Sequence, residues 1–162
     1  KASASLSSRP NAQTIGDLAG SLAYLQNSSF VNGRIGLVGF CSGGRLAMVF
    51  ACNTTGLNAF VNFYSNSIFQ ATDANPTPAG DMLESLDCPM LGMFGAEDTN
   101  PSGEDVALLR TKLESLSKTF ELVAYKDAGH AFFSDTRASY RPEVAYMAWG
   151  RCLEWLSKYL KP

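Results

Sequence analysis

Apolar residues along the chain alternate between helical spacing and short unbroken runs. From Thr14 they recur every three or four positions, which predicts a helix with one buried face, and Thr14 followed by Asp17 resembles an N-terminal capping box. The run "RIGLVGF" then predicts a strand that is covered on both faces. Three later runs, "AFVNFYS", "CPMLGMFG" and "FELVAY", predict three more strands.

Helical segments separate most of these strands. Residues 45–52 and 101–117 have helical spacing, and a last helix is predicted at about residues 143–160. The stretch "NSIFQATDANPTPAGDM" contains two prolines and little periodicity, which predicts a long surface loop of the kind that often carries function. Strands that alternate with helices predict an α/β fold, a three-layer sandwich with a mostly parallel sheet and helices on both faces.

Length and composition narrow the classes of function. The 162 residues, 46% of them hydrophobic, suit one globular domain, which we place at residues 14–162 after a loose or vector-derived start at residues 1–13. A net charge of −2 without a basic run argues against nucleic-acid binding. No run approaches the roughly 18 apolar residues of a membrane span, and "KASASLSSRP" lacks the apolar core of a signal peptide, so we expect a soluble, cytoplasmic protein.

The four cysteines form neither a CxxC pair nor a cluster with histidine. The sequence therefore indicates neither a zinc site nor a disulfide scaffold. Cys52, Cys88 and Cys152 lie in element-like or apolar segments, and we expect them to be reduced core residues. Cys41 differs from them because it stands in "GFCSGG", between a predicted strand and a predicted helix.

Residues 39–43 fit the G-x-nucleophile-x-G pattern of a nucleophile elbow. We expect glycines on both sides of Cys41 because a Cβ there would collide with the adjacent strand or helix. The thiol would then project at the carboxyl end of the sheet, where the backbone N–H of Ser42 can donate to a developing oxyanion and the helix terminus stabilises a thiolate. A lone cysteine is more often a small inert core residue, and only the strand, helix and glycines around Cys41 favour the catalytic interpretation.

Two further reactive side chains follow later strands. Asp98 comes after the third strand, and His130, the only histidine of the chain, comes after the fourth. The order nucleophile, acid, histidine is that of the α/β-hydrolase triad. His130 would act as general base, and Asp98 would orient its ring. The sequence leaves Glu97 open as an alternative acid, whereas we expect Asp127 and Asp135 to be solvated.

Four stretches resemble the dienelactone hydrolases, a family within the α/β-hydrolase superfamily: "RIGLVGFCSGGRLA", "CPMLGMFGAEDTNPS", "YKDAGHAFF" and "DTRASYRPEVAYMAWGRCLEWL". The resemblance covers nearly everything from residue 14 to residue 160. It implies a cysteine hydrolase that opens small lactone or enol-lactone rings, as carboxymethylenebutenolidases do. Cys41 would attack the carbonyl to form an acyl-enzyme, and His130 would activate the water that releases the acid. The resemblance also implies that no metal or organic cofactor is required.

The chain departs from the family pattern at its start and after the histidine. Family members have further strands before the first helix, so the chain resembles the carboxyl-terminal two-thirds of their domain and lacks the part that supplies the second oxyanion donor. The basic residue that the family places shortly after the histidine is not obvious, since Ser134 stands four positions beyond His130 and Arg137 is the first arginine. The strand near Ile35 to Val38 would be left at a sheet edge, which predicts either a homodimer through that edge or a longer natural product.

The substrate pocket and the function keep alternatives. We expect the loop at residues 66–80, with Phe69, to line the pocket together with Phe40, Tyr64, Phe132, Phe133 and Arg137, although most of the aromatic side chains are expected to be core. The expected partner is a small ester or lactone. A broader carboxylesterase or thioesterase remains open because a triad alone does not select the acyl substrate. A non-catalytic α/β protein that binds a partner through its sheet edge is the alternative from another class.

Overall fold

A computed structural model describes residues 9–161 of the chain. Helices and strands alternate along the sequence, and the predicted α/β fold class is confirmed. The strands are β1 (Gly36–Phe40), β2 (Ala59–Phe63), β3 (Met90–Gly95) and β4 (Phe120–Tyr125), and the helices are α1 (Asn11–Gln26), α2 (Ser42–Ala51), α3 (Gly103–Ser115) and α4 (Pro142–Leu160). Two 3₁₀ turns, Ala79–Asp81 and Leu83–Ser85, precede β3.

The four strands form one parallel sheet in the order β1-β2-β3-β4. Every residue of β2 and β3 is buried, whereas β1 and β4 are partly exposed and lie at the two edges. The apolar composition of the two central strands accounts for this, because a parallel strand covered on both faces has no solvent-facing side. Since all four strands run in one direction, the residues that follow them gather at one end of the sheet.

Successive side chains of the central strands point to opposite faces of the sheet and pack in two different hydrophobic cores. On one face Phe60 packs in a cluster with side chains of α2 and α3, and on the other face Val61 and Phe63 pack in a cluster with side chains of α4. Helix α1 lies against α2. Full burial of a large apolar side chain contributes about 1.5–3 kcal/mol, so these two cores hold the strand ends in fixed positions.

Helix α1 begins earlier than the sequence analysis predicts. It starts at Asn11 with Pro10 as the N-cap residue, so the capping box predicted at Thr14 is wrong. Thr14 is only 4% exposed and faces the core, where its hydroxyl has no hydrogen-bond partner among residues 9–161. Residues 11–13 are therefore helical rather than part of a loose start, and the backbone N–H of Asn11 donates to Asn75 Oδ1 at 2.7 Å. Residues 1–8 of that predicted start lie outside the described residues.

Two other helices also begin at positions that differ from the prediction. Helix α2 starts at Ser42 rather than at residue 45, because the carbonyl of Cys41 already accepts hydrogen bonds from Gly44 and Arg45. Helix α3 starts at Gly103 rather than at residue 101, after a capping box in which Ser102 and Asp105 each bond the other's backbone N–H.

The long loop between β2 and β3 lies only partly on the surface. Ile68 and Ala79 are buried, and Phe69 packs closely against Gly80. Phe69 contacts the core on the α2 and α3 face, away from the cluster that contains Cys41, so its predicted place in the substrate pocket is wrong. The loop therefore contributes apolar side chains to the core that α2 and α3 also cover.

Candidate active site

Cys41 lies at a sharp turn between β1 and α2. Its backbone has φ 53° and ψ −125°, a left-handed conformation that costs a non-glycine residue on the order of 1–3 kcal/mol. Hydrogen bonds on both sides hold the turn: the Cys41 N–H donates to the carbonyl of Phe63 at 3.0 Å, and the Cys41 carbonyl accepts from Gly44 at 2.9 Å. The turn projects the thiol at the carboxyl end of the sheet, as the elbow pattern predicts.

Close packing at the elbow requires glycine at two positions, which differ from the pair that the sequence analysis names. A Cβ on Gly39 would lie 2.6 Å from the carbonyl oxygen of Gly43, and a Cβ on Gly44 would lie 2.8 Å from Asn62 Oδ1 and from Ser65 Cβ. A Cβ on Gly43 would meet nothing within 4 Å among the described atoms. The predicted clash is therefore right for Gly39 and wrong for Gly43, because Gly43 lies on the exposed side of the first turn of α2.

The three side chains predicted as a triad lie in hydrogen-bonding contact. His130 Nε2 is 3.1 Å from Cys41 Sγ, and His130 Nδ1 is 2.8 Å from Asp98 Oδ2. Asp98 is 7% exposed, whereas the neighbouring Glu97 side chain is exposed. Of the two carboxylates that the sequence leaves open, Asp98 is the one that contacts His130. Asp127 is exposed, as expected.

Backbone contacts fix the loop that carries Asp98. The Asp98 N–H donates to the carbonyl of Gly95 at 3.2 Å, and the Glu97 N–H donates to the carbonyl of Ala128 at 2.9 Å. The second carboxylate oxygen of Asp98 accepts from the backbone N–H of Asn100 at 2.9 Å. With one oxygen held by a backbone N–H and the other by the imidazole, the carboxylate has a defined orientation despite its burial.

The environment of Cys41 favours the thiolate. The hydrogen bond with His130 is the main cause that lowers the pKa of the Cys41 thiol to about 7, against the opposing effect of burial, and the backbone N–H of Ser42 also donates to the sulfur. The same hydrogen bond with Cys41, helped by Asp98, raises the pKa of His130 against the effect of burial. Thiol and imidazole therefore share a proton readily, which is the condition for an activated nucleophile.

A known protein family matches nearly the whole chain. Residues 2–160 match the sequence profile described as "Dienelactone hydrolase family". The chain belongs to the dienelactone hydrolase family. The family resemblance inferred from the elbow cysteine and the "GHAFF" stretch is therefore confirmed.

Relatives of this dienelactone hydrolase family member are known in sequence and in structure. A Salmonella typhimurium protein with the provisional name carboxymethylenebutenolidase is 32% identical over 150 residues, which are 93% of this chain and 56% of that protein. A Bradyrhizobium protein provisionally named 2-oxo-3-(5-oxofuran-2-ylidene)propanoate lactonase is 32% identical over 146 residues, 89% of this chain and 58% of that protein. A Klebsiella pneumoniae structure, provisionally a dienelactone hydrolase, superposes with a TM-score of 0.86 at 33% identity and covers 93% of this chain and 62% of that one. The chain spans a little over half the length of the curated relatives it matches.

The other cysteines of this dienelactone hydrolase family member are far less acidic. Burial raises the pKa of Cys52 to about 12 and the pKa values of Cys88 and Cys152 to about 11. All three are buried and unpaired with one another by disulfides, as expected for core thiols. Cys41 is therefore the one thiol among the four that is both accessible and acidic.

The predicted pocket residues divide into buried and accessible ones. Tyr64 is 3% exposed and Phe132 is 0% exposed, so both support the site from within the core. The prediction that Phe132 lines the pocket is therefore wrong, because its side chain reaches no open surface. Phe40 and Phe133 are half-buried, with ring centroids 5.5 Å apart. Arg137 is exposed and lies close enough to Tyr64 to oppose the rise of its pKa to about 12, a rise caused mainly by burial.

Across residues 9–161 no group of three or more histidine, cysteine, aspartate or glutamate side chains is placed to hold a metal ion. No helix in this part of the chain is long and apolar enough to cross a membrane.

Proposed function

We propose that this chain carries out the nucleophilic chemistry of an ester hydrolase that opens small lactone rings. The observation that supports this most directly is the unbroken line of contacts from Asp98 through His130 to Cys41, at 2.8 Å and 3.1 Å. The names of the relatives, which include a lactonase and carboxymethylenebutenolidases, support the choice of substrate class.

Acylation begins with the thiol proton. It moves from Cys41 Sγ to His130 Nε2, and the sulfur bonds to the carbonyl carbon while the carbonyl electron pair moves onto oxygen. The backbone N–H of Ser42, which donates to the sulfur in the free protein, lies at the first turn of α2 and can donate to this oxyanion. Collapse breaks the ring C–O bond, and the leaving oxygen takes the proton from Nε2. The opened ring remains attached as a thioester.

Deacylation reverses the roles with water as the nucleophile. Water gives a proton to His130 Nε2, and its oxygen bonds to the thioester carbon. The C–S bond then breaks, and the proton returns from the imidazolium to the sulfur, so that lactone and water yield a hydroxy acid and the resting thiol. In both steps Asp98 stabilises the charged ring and keeps Nε2 directed at the sulfur.

The residues around the thiol suit a small, flat, largely apolar substrate. Phe40 and Phe133 offer accessible ring surface beside Cys41, in the same apolar cluster. The exposed Arg137 supplies a positive charge near the site. These features fit a lactone more closely than a long-chain ester, and a broader carboxylesterase or thioesterase is the second candidate because the triad itself accepts any acyl carbon within reach.

Hydrolysis assays on cis-dienelactone and p-nitrophenyl acetate test the proposal. We expect wild-type turnover on the lactone to exceed that on the acetate ester, and Cys41→Ser and His130→Ala each to lose nearly all of it. Preference for the acetate ester would favour the carboxylesterase. Equal rates for the wild type and both variants would show that the turnover does not come from the triad, and absence of turnover with an unreactive Cys41 would favour the non-catalytic alternative.

A further inference from the structure

The segment Tyr64–Ser67 follows β2 and carries no member of the triad, yet it contacts the surroundings of all three. The Tyr64 ring packs edge-on against the His130 imidazole, with centroids 5.4 Å apart and an interplanar angle of 69°. Asn66 Nδ2 donates to Ser42 Oγ at 3.4 Å, beside Cys41. The Ser67 N–H donates to Asn100 Oδ1 at 2.7 Å, beside Asp98.

This segment holds an unusual backbone conformation. Tyr64 has φ 38° and Ser67 has φ 51°, both in the left-handed region that non-glycine residues enter at a cost of about 1–3 kcal/mol each. Hydrogen bonds compensate for it: the Tyr64 N–H donates to the carbonyl of Met93 at 2.8 Å, and Asn62 exchanges hydrogen bonds with Ser65 at 2.9 Å and 3.2 Å. Strain that is retained in this way commonly marks a functional constraint.

Tyr64 restricts the movement of His130 on one face. Its ring also packs edge-on against Phe132 at 5.1 Å, so Tyr64 is held between the residue it positions and the core beneath. Tyr64 is 3% exposed, and a smaller side chain there would open a cavity under the imidazole. The ring would then be free to turn away from the Cys41 sulfur.

Asn100 joins the segment to the acid. Its side-chain oxygen accepts from Ser67, and its backbone N–H donates to Asp98 Oδ1 at 2.9 Å. A displacement of the segment is therefore transmitted to the carboxylate that holds His130 Nδ1. Packing also connects the segment to the elbow, because Ser65 lies directly against Gly44 of α2.

We propose that Tyr64–Ser67 is the positioning element of the triad, with Tyr64 as the positioning residue for His130 and Asn100 as its link to Asp98. This inference rests on the proposed function, since it assigns the segment a role in the same reaction. It differs from a pocket role for Tyr64, because the contact that matters is with the imidazole rather than with substrate.

The test measures the alkylation rate of Cys41 by iodoacetamide against pH, together with kcat and KM on cis-dienelactone. Tyr64→Leu removes the ring, Tyr64→Phe restores it, and Tyr125→Leu is the matched control. Tyr125 packs edge-on against the same Phe132 at 5.5 Å and lies in the same cluster, but no ring contact joins it to His130 among the described residues.

We expect Tyr64→Leu to slow alkylation at pH 7 by about fivefold, because a rise of about one unit from a thiol pKa of about 7 lowers the thiolate fraction from roughly one half to roughly one tenth. It should lower kcat on the order of a hundredfold with little change in KM, because misplacement of a catalytic group by about 1 Å has that effect. Tyr64→Phe should recover most of both losses. Tyr125→Leu should leave the alkylation profile unchanged even if it lowers thermal stability.

Asn100→Ala provides a second measurement if Tyr64→Leu does not fold. It leaves the Ser67 N–H without its acceptor, and we expect it to lower kcat and to shift the alkylation profile in the same direction, with recovery in Asn100→Asp, which keeps an acceptor oxygen. Wild-type alkylation profiles in both Tyr64→Leu and Asn100→Ala would overturn the positioning role alone. A wild-type Cys41 that alkylates no faster than Cys52 would overturn the proposed function as well.

Discussion

Gly95, at the end of β3, lies in direct contact with the backbone of Ala128. A Cβ on Gly95 would be 2.3 Å from the Ala128 carbonyl oxygen, which is closer than any real Cβ contact. The same oxygen accepts the hydrogen bond from the Glu97 N–H at 2.9 Å. This contact joins the loop that carries Asp98 to the loop that carries His130, so the distance between Asp98 and His130 depends on a residue without a side chain.

Gly95→Ala is therefore expected to separate the two loops. The added methyl group meets the backbone of Ala128 and Gly129, and overpacking of this kind destabilises a protein by about 1–3 kcal/mol. We expect thermal unfolding to show a lower melting temperature. We also expect hydrolysis, measured at a temperature where the variant is still folded, to be slower than the amount of folded protein accounts for.

The matched control is Gly150→Ala. Gly150 lies on the exposed side of α4, where a Cβ meets nothing within 4 Å among the described atoms. Alanine in an exposed helix interior stabilises by up to about 1 kcal/mol relative to glycine, so this variant should unfold at a slightly higher temperature with unchanged turnover. Wild-type stability in Gly95→Ala would contradict the close contact between the two loops.

The glycines of the elbow differ in their tolerance of substitution. Gly39→Ala places a methyl group 2.6 Å from the Gly43 carbonyl oxygen, and we expect it to destabilise the fold by about 1–3 kcal/mol. Gly43→Ala meets open space and should keep wild-type stability. Denaturant unfolding of the two variants measures the difference, and equal destabilisation would show that the motif requires both glycines for a reason other than packing.

The order of elements and the contact among Cys41, Asp98 and His130 could be predicted because they depend on local patterns. Unbroken apolar runs identify the buried strands, and a cysteine flanked by glycines between a strand and a helix identifies the elbow. The end of a parallel strand then determines where Asp98 and His130 gather, since residues that follow such strands meet at one end of the sheet.

Features that depend on contacts between distant segments could not be predicted. Thr14 has the residue type of a helix cap, but α1 begins before it, at Asn11, and the packing of α1 against the core buries the Thr14 side chain. Phe69 and Phe132 have the type and position of pocket residues, and only the packed cores show that they face inward. The strained backbone at Tyr64 has no signature in sequence, because tyrosine does not ordinarily favour a positive φ.

The alkylation rate of Cys41 should rise with pH and level off above its pKa of about 7. The thiolate is the reacting form, so the rate falls as protonation increases below that value and is nearly maximal at pH 8–9. Cys52, Cys88 and Cys152 remain protonated over this range, because burial raises their pKa values to about 11 or 12. Mass spectrometry of each cysteine peptide after timed alkylation gives the four profiles.

His130→Ala removes the main cause of the lowered pKa of Cys41. We expect its alkylation midpoint to move toward the ordinary thiol range, with a rate at pH 7 that is at least about tenfold lower. An unchanged midpoint in this variant would mean that the helix terminus, through the Ser42 N–H, is sufficient to acidify the thiol.

The choice of Asp98 over Glu97 as the acid predicts unequal effects of two neutral substitutions. Asp98→Asn keeps the shape of the side chain but removes the charge that stabilises the imidazolium, and we expect kcat to fall on the order of a thousandfold or more. Glu97→Gln changes an exposed carboxylate beside it and should leave kcat nearly unchanged. Comparable losses in the two variants would contradict the observed contact between Asp98 and His130.

The homodimer through the β1 edge stays a prediction, and the structure allows a sharp test of it. The Cys41 N–H donates to Phe63 of β2, and the Ile35 carbonyl accepts from Asn58, which directly precedes β2. The alternation along the strand therefore leaves the backbone groups of Val38 pointing away from β2, without a strand partner among residues 9–161. A twofold axis at this edge would pair two β1 strands antiparallel and join two four-stranded sheets into one.

Val38→Pro removes the outward N–H and should give a monomer in light scattering, whereas Val38→Ala loses similar packing but keeps the N–H and should remain dimeric. Alkylation of Cys41 at the wild-type rate in both variants would show that the elbow is intact, and a wild-type chain that is monomeric at micromolar concentrations would contradict the dimer.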